Sequence, residues 1–195
     1  FGKLDKAFIK AALQSGHNFL EDFNGPVRTG VSRVDSTVHK GIRQSSALAY
    51  LKKIPKNLHI FTNTHISRIL FEQTRAVGIE STKGDKFFAD QEVIICQGAF
   101  GTPQLLMLSG IGPSDHLLSH GIKPIMDLQG VGQNLADHID VSIQYGSRSM
   151  DLSAAKYQRL DKAALLMGKW LLNGSGPGGG SLFSTVLFHA LEDPN

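Results

Sequence analysis

The chain has 195 residues, 41% of them hydrophobic and 19% charged, with a formal net charge of +3. That balance is ordinary for a globular protein, and a chain of this length can bury roughly 70% of its unfolded surface. The basic residues are scattered rather than striped, which argues against a nucleic-acid partner, and no apolar run reaches the ~20 residues of a membrane-spanning helix.

Leu4, Ala7, Phe8, Ala11 and Ala12 follow helical spacing, and Gly16 sits where a helix end favours glycine. A polar, turn-rich stretch at 22–26 follows. Ser45 and Ser46 then offer caps to a second helix over Ala47–Leu51, which Ile54-Pro55 should end. From Leu58 the pattern becomes strand-like. Strands are expected at Leu58–Thr62, at Ile66–Glu72 with alternating side chains, at Ala76–Ser81, at Lys86–Ala89 and at Gln91–Cys96. Lys83-Gly84-Asp85 reads as a turn. The set is an antiparallel meander (about 58–96) feeding one long buried strand. The single cysteine, Cys96, excludes an internal disulfide framework and reads as a small apolar residue at that strand's buried end.

Val93, Ile94 and Ile95 run into Cys96-Gln97-Gly98-Ala99-Phe100-Gly101, and a short apolar helix leaves it. Thr102 is a natural cap for that helix, Pro103 suits a first helical turn, and Gly110 can stop it in a left-handed conformation. A strand end feeding a tight turn and a helix is where α/β proteins place dinucleotides. Ser114 should cap the next short helix, with Gly121 as its stop, and a loop through Asp127, Gly130 and Gly132 follows. Tyr157, Leu160, Ala164, Met167 and Leu171 line one face of a longer helix. Residues 173–181 are a glycine-rich loop, and 184–190 reads as a strand. There is no internal repeat.

Gly174, Gly176 and Gly179 formally satisfy G-x-G-x-x-G, but the context is wrong. A dinucleotide fingerprint follows a strand and opens a helix; here it follows a helix and contains Pro177. It reads as a flexible loop. The eight histidines show no spacing typical of a metal centre. His138 beside Asp137 invites a catalytic reading, but adjacent residues do not simply face one another, and a loop histidine is the simpler one.

Thr102, Pro103, Leu105, Leu106, Ser109, Gly110, Ile111 and Gly112 fill the places of a known signature, and the segment closely resembles that of the glucose-methanol-choline (GMC) flavin oxidoreductases. Two further segments match that family in order: Gly41-Ile42-Arg43-Gln44-Ser45 through Tyr50-Leu51, and Val131-Gly132-Gln133-Asn134-Leu135-Ala136-Asp137-His138. The likeness runs from Phe1 to Asp140. Beyond that it is only general, towards choline-dehydrogenase-like members. Cys96-Gln97 and Ala136 depart from the usual residues.

The resemblance implies a mixed α/β fold: part of a Rossmann-like FAD-binding domain over 1–140 and the start of an antiparallel-sheet substrate domain over 141–195. It implies FAD as cofactor and oxidation of an alcohol by hydride transfer to the flavin, with a quinone, a carrier or oxygen accepting the electrons. It places cofactor contacts at Ile66, whose backbone would meet the adenine, at Gly98 and Ala99, where small residues admit the backbone, and at Asn134. The family's catalytic histidine and its His or Asn partner are expected beyond Asn195, so no catalytic residue is expected here and the chain reads as the inactive middle of a longer protein. A non-catalytic nucleotide-binding relative and a flavin-retaining lyase are the alternatives. Location stays open, with cytoplasm favoured and peripheral membrane association compatible.

Overall fold

The computed structural model describes residues 2–149, 159–176 and 184–190. Its helices are α1 (Lys3–Gln14), α2 (Ser46–Tyr50), α3 (Gly98–Leu108), α4 (Ser114–Ser119) and α5 (Leu160–Asn173). Its strands are β1 (Gly30–Arg33), β2 (Val38–His39), β3 (Ile42–Arg43), β4 (Ile66–Glu72), β5 (Arg75–Ser81), β6 (Lys86–Phe88), β7 (Ile111–Gly112), β8 (Met126–Asp127) and β9 (Thr185–Phe188). They form two compact units, one of Phe1–Pro55 with Ile143–Asn195, the other of Lys56–Ser142.

In the first unit β1 pairs antiparallel with β9, from Gly30 opposite Phe188 to Arg33 opposite Thr185. Val31, Leu20 and Ala12 are buried there. Buried Ser32 is satisfied because its Oγ donates to the Leu20 carbonyl at 2.7 Å. The Asp5 carboxylate holds the start of α1 by accepting from the Gly2 N–H at 2.6 Å, and it also accepts from the Ser184 hydroxyl. α2 is capped as expected: Ser45 Oγ accepts from the Leu48 N–H at 3.2 Å. It ends at Tyr50, ahead of the expected stop at Ile54-Pro55. Trp170 of α5 donates its indole N–H to the Gly41 carbonyl at 2.7 Å, tying the helix to the β2–β3 hairpin. α5 and β9 match the expected helix and strand; Tyr157 and residues 177–181 of the glycine-rich loop lie outside the described residues.

The second unit carries the expected meander in its central part. β4, β5 and β6 form an antiparallel sheet in that order, with Ile66 opposite Ser81 and Glu80 opposite Lys86. The turn after β5 is held by Ser81, whose Oγ accepts from the N–H groups of Lys83 and Asp85 at 3.2 and 3.1 Å. Behind the sheet lies α3. Buried Ser109, just past its end, accepts from the Ile69 N–H of β4 at 2.8 Å and donates to the Leu105 carbonyl at 2.6 Å. One hydroxyl thus pins the helix end to the strand. Ile69, Leu105 and Leu117 form the buried centre.

Four expectations are corrected. Residues 58–62 and 91–96 lie outside any strand, and Ile94 is 73% exposed. Their sequences suit a sheet, but among the described residues no strand runs alongside to complete a ladder, and apolar content cannot supply hydrogen-bond partners. Cys96 is accordingly exposed rather than buried. α3 begins at Gly98, so Thr102 is not a cap and Pro103 stands inside the helix. The Pro103 ring opposes the carbonyl of Ala99. That carbonyl belongs to the first turn, where no preceding turn locks the backbone. Ser114 is the first residue of α4 rather than its cap, and its N–H is taken by Asp127 Oδ1 at 2.9 Å.

Candidate functional site

The start of α3 is set by Gly98, whose φ of +76° is a conformation that side chains with a Cβ rarely adopt. Gln97 precedes it without a side-chain cap. The N–H groups of Gly98, Ala99 and Phe100 therefore have no partner within the helix. Because Pro103 has no N–H, the Ala99 carbonyl also lacks its helix donor. This helix start offers both backbone donors and an acceptor. Gln97 packs on Gly101, where a Cβ would come within 2.8 Å of its side chain. The bulky residue in the signature turn is thus accommodated by a glycine one helical turn on.

At the other end, Gly110 has φ +88° and a Cβ there would come within 2.8 Å of the Lys123 carbonyl. The Ile125 N–H donates to the Gly110 carbonyl at 2.7 Å, drawing the chain back to pair β7 with β8 in parallel. Asp127, at the end of β8, accepts from both Ser114 N–H and Gln129 Nε2, at 2.9 and 2.8 Å. The loop that follows is thereby launched from a fixed point. It turns through Gly132 at φ +77° and Asn134 at φ +56°, a left-handed conformation that asparagine tolerates better than most residues.

This loop and α3 enclose a cleft of about 610 Å³. Ala99, Phe100, Pro103, Gln104 and Met107 form the helix wall; Gly132 to Ala136 form the other. The helix residues recur every three or four positions and so share one face. Phe100 and Leu135 are 76% and 61% exposed, leaving apolar edges at the mouth. The volume falls in the range of small-molecule and cofactor sites, ~300–1,000 Å³. An apolar wall with free backbone groups at its start suits a flat heteroaromatic group carrying polar edges.

Of the residues singled out in the sequence, Ala99 and Asn134 line this cleft on opposite walls. Gly98 adjoins it in sequence without lining it. Ile66 opens β4, half-buried opposite Ser81, and is not among the lining residues. Phe100, Gln104, Met107 and Leu135 line the cleft and were not singled out; the i, i+3, i+4 spacing from Ala99 through Met107 was the available signal. The Asp137 carboxylate accepts from the backbone N–H of His138 at 2.8 Å, so it braces the loop backbone. Among the described residues, no group of three or more His, Cys, Asp or Glu side chains is arranged to hold a metal ion.

Comparison with known proteins gives the family of the chain and its fold. The family model described as GMC oxidoreductase matches residues 2–140. The mitochondrial choline dehydrogenase of Mus musculus is 41% identical over 180 residues, covering 90% of this chain and 30% of that protein. The crystal structure of a formate oxidase superposes with a TM-score of 0.79 at 29% identity, over 93% of this chain and 32% of the oxidase. An FAD-dependent oxidoreductase from Chaetomium thermophilum gives a TM-score of 0.76 at 25% identity, over 95% of this chain and 34% of that one. The chain thus spans about a third of the length of the proteins it matches, and over that span its mixed α/β fold is theirs. The match covers the signature helix, the strands behind it and the loop facing it, and it shows that the chain belongs to the GMC oxidoreductase family.

Proposed function

We propose that this chain is the central part of an FAD-dependent enzyme that oxidises an alcohol, and that the cleft between α3 and the Gly132–Ala136 loop holds part of the flavin nucleotide. The observation that carries this reading is the cleft itself. One of its walls is the signature helix, opened by glycine in a left-handed conformation, and the other is the left-handed turn at Asn134. Residues 1–140 belong, on this reading, to the flavin-binding domain, and 141–195 begin the domain that faces the substrate.

The residues present fit such a group. Gly98 has no neighbour within 4 Å of where a Cβ would stand, so the approach to the helix start is open. Ala99 is the smallest side chain of the helix wall, and the backbone groups around it can pair with a polar ring edge. Asn134 holds the opposite wall in its turned form. Hydride acceptance from the carbinol carbon is the chemistry that a bound flavin supplies. This chain's part is to bind and orient, and to keep water from the apolar face formed by Phe100, Pro103 and Met107. The substrate is a small alcohol of the choline type, with an acceptor such as oxygen, a quinone or a carrier downstream; the name of the mouse relative supports the first half of that statement.

The test is to purify the full-length gene product and record its visible absorbance. Bound flavin bands are expected, and an Ala99→Leu variant, which fills the cleft wall, should carry less flavin at equal protein. A colourless protein that takes up no added FAD would overturn the reading.

A further inference from the structure

Beside α3, His116 of α4 and His120, the residue that follows this helix, stand one turn apart, their ring centroids 4.6 Å apart. We propose that these two histidines chelate one borderline divalent transition-metal ion at a site that adjoins the flavin cleft, sharing Gln104 and Met107 with it, while neither histidine lines that cleft. The spacing alone is weak; the hydrogen bonding around His120 gives it direction. Its Nδ1 lies 3.0 Å from the His116 carbonyl, which can only accept, so Nδ1 carries the proton. Nδ1 is also 3.0 Å from Ser119 Oγ, and that hydroxyl's own hydrogen is committed to the His116 carbonyl at 2.8 Å. Both contacts demand the same tautomer. In the neutral ring this leaves the lone pair on Nε2, the arrangement by which outer partners ready a histidine for a metal.

The His116 ring is exposed, and among the described residues no protein group hydrogen-bonds its nitrogens. The i, i+4 separation across the end of α4, which the sequence alone did not mark as a metal centre, brings the two imidazoles together, as the same separation does in helical zinc motifs. Beside the rings is a cavity of about 290 Å³ floored by Met107, Leu117 and Ile122, with Gln104 at its edge. It has room for an ion that keeps water at its remaining positions. Two neutral imidazoles and no carboxylate favour Cu²⁺, Ni²⁺ or Zn²⁺ over Mg²⁺ or Ca²⁺.

A second histidine pair, His17 and His189, has ring centroids 5.3 Å apart but meets edge-on at 85° and comes from distant parts of the chain, so it serves as the internal control. The experiment is calorimetric titration of the whole chain with Cu²⁺, paired with thermal unfolding. Wild type should take up one ion at this site and unfold at a higher temperature with the ion present, because the ion binds the folded helix. His116→Ala and His120→Ala should each weaken uptake at least about tenfold, no less than loss of outer-sphere support costs, and lose the thermal shift. His17→Ala should leave both unchanged. Undiminished uptake by His116→Ala and His120→Ala, or its loss in His17→Ala, overturns the proposal. Both substituted side chains are exposed, and an unchanged circular dichroism spectrum confirms that the variants have folded.

Discussion

The β4–β6 sheet with α3, and the extended runs at 58–62 and 91–96, are made of similar residues and end differently. In the first region each strand pairs with the strand next to it in the chain, and the helix end is hydrogen-bonded to the sheet through Ser109. In the second, residues equally suited to strands lie exposed, Phe61 at 64% and Ile94 at 73%. Apolar pattern states what a segment can do in a sheet; a ladder forms only where a second strand supplies its N–H and C=O groups. The contrast can be tested with substitutions that should differ greatly in cost.

The largest effect is expected at Leu117, only 1% exposed where α4 meets the rest of its unit. Leu117→Ala should destabilise the chain by about 2–5 kcal/mol, the cost of a buried cavity, read as a fall in the urea midpoint. Next comes Ser109→Ala. It removes the acceptor of the buried Ile69 N–H and leaves that donor unpaired, at a cost of about 1–3 kcal/mol. The same variant should speed hydrogen exchange at Ile69. If Ser109→Ala unfolds like wild type, the helix is not pinned to the sheet by this hydroxyl and the contrast between the regions loses its basis.

Much of this was legible in the sequence where partners are close. The bounds of β4 came out as the alternation of Ile66 to Glu72 implies, and β5 and β6 differ by one residue each, because a tight turn at Lys83-Gly84-Asp85 fixes both neighbours. Gly110 and Gly121 stop their helices for the same local reason. Thr102-Pro103 is a good local start for α3, whereas Gly98, which no side chain could replace without strain, sets the helix running a turn earlier. Two residues of the candidate cleft were singled out in the sequence. Ala99 and Asn134 sit in motifs, but the cleft exists only because the loop returns to α3, and that return depends on Asp127 reaching the Ser114 N–H thirteen residues away. No periodicity records such a contact, nor the bond between Trp170 and Gly41.

A smaller effect is expected where distant segments meet through a single hydroxyl. The Ser184 hydroxyl, more than the Gly2 N–H, holds the Asp5 carboxyl below its usual value, while partial burial opposes the shift. A depressed folded-state value contributes stability above the ordinary carboxylate range, and that contribution is lost as pH falls through the folded value. Ser184→Ala should therefore move the Asp5 titration upward in a carboxyl-detected NMR experiment and narrow the acid tolerance of the α1–β9 contact. No movement would mean that the hydroxyl does not act on Asp5 in solution.

The smallest effect is the most discriminating. Ile94 belongs to the most apolar run before the signature turn, and pattern alone would rank it with Ile69 as a core residue. Its exposure says otherwise. Ile94→Ser should change the stability of this chain by no more than about 0.5 kcal/mol, as surface substitutions do, measured in the same urea series as Leu117→Ala. A loss of the size expected for Leu117 would mean that the run is packed and that the two regions are alike. A null result, beside a large loss at Leu117, separates apolar residues that this chain uses from those it merely displays.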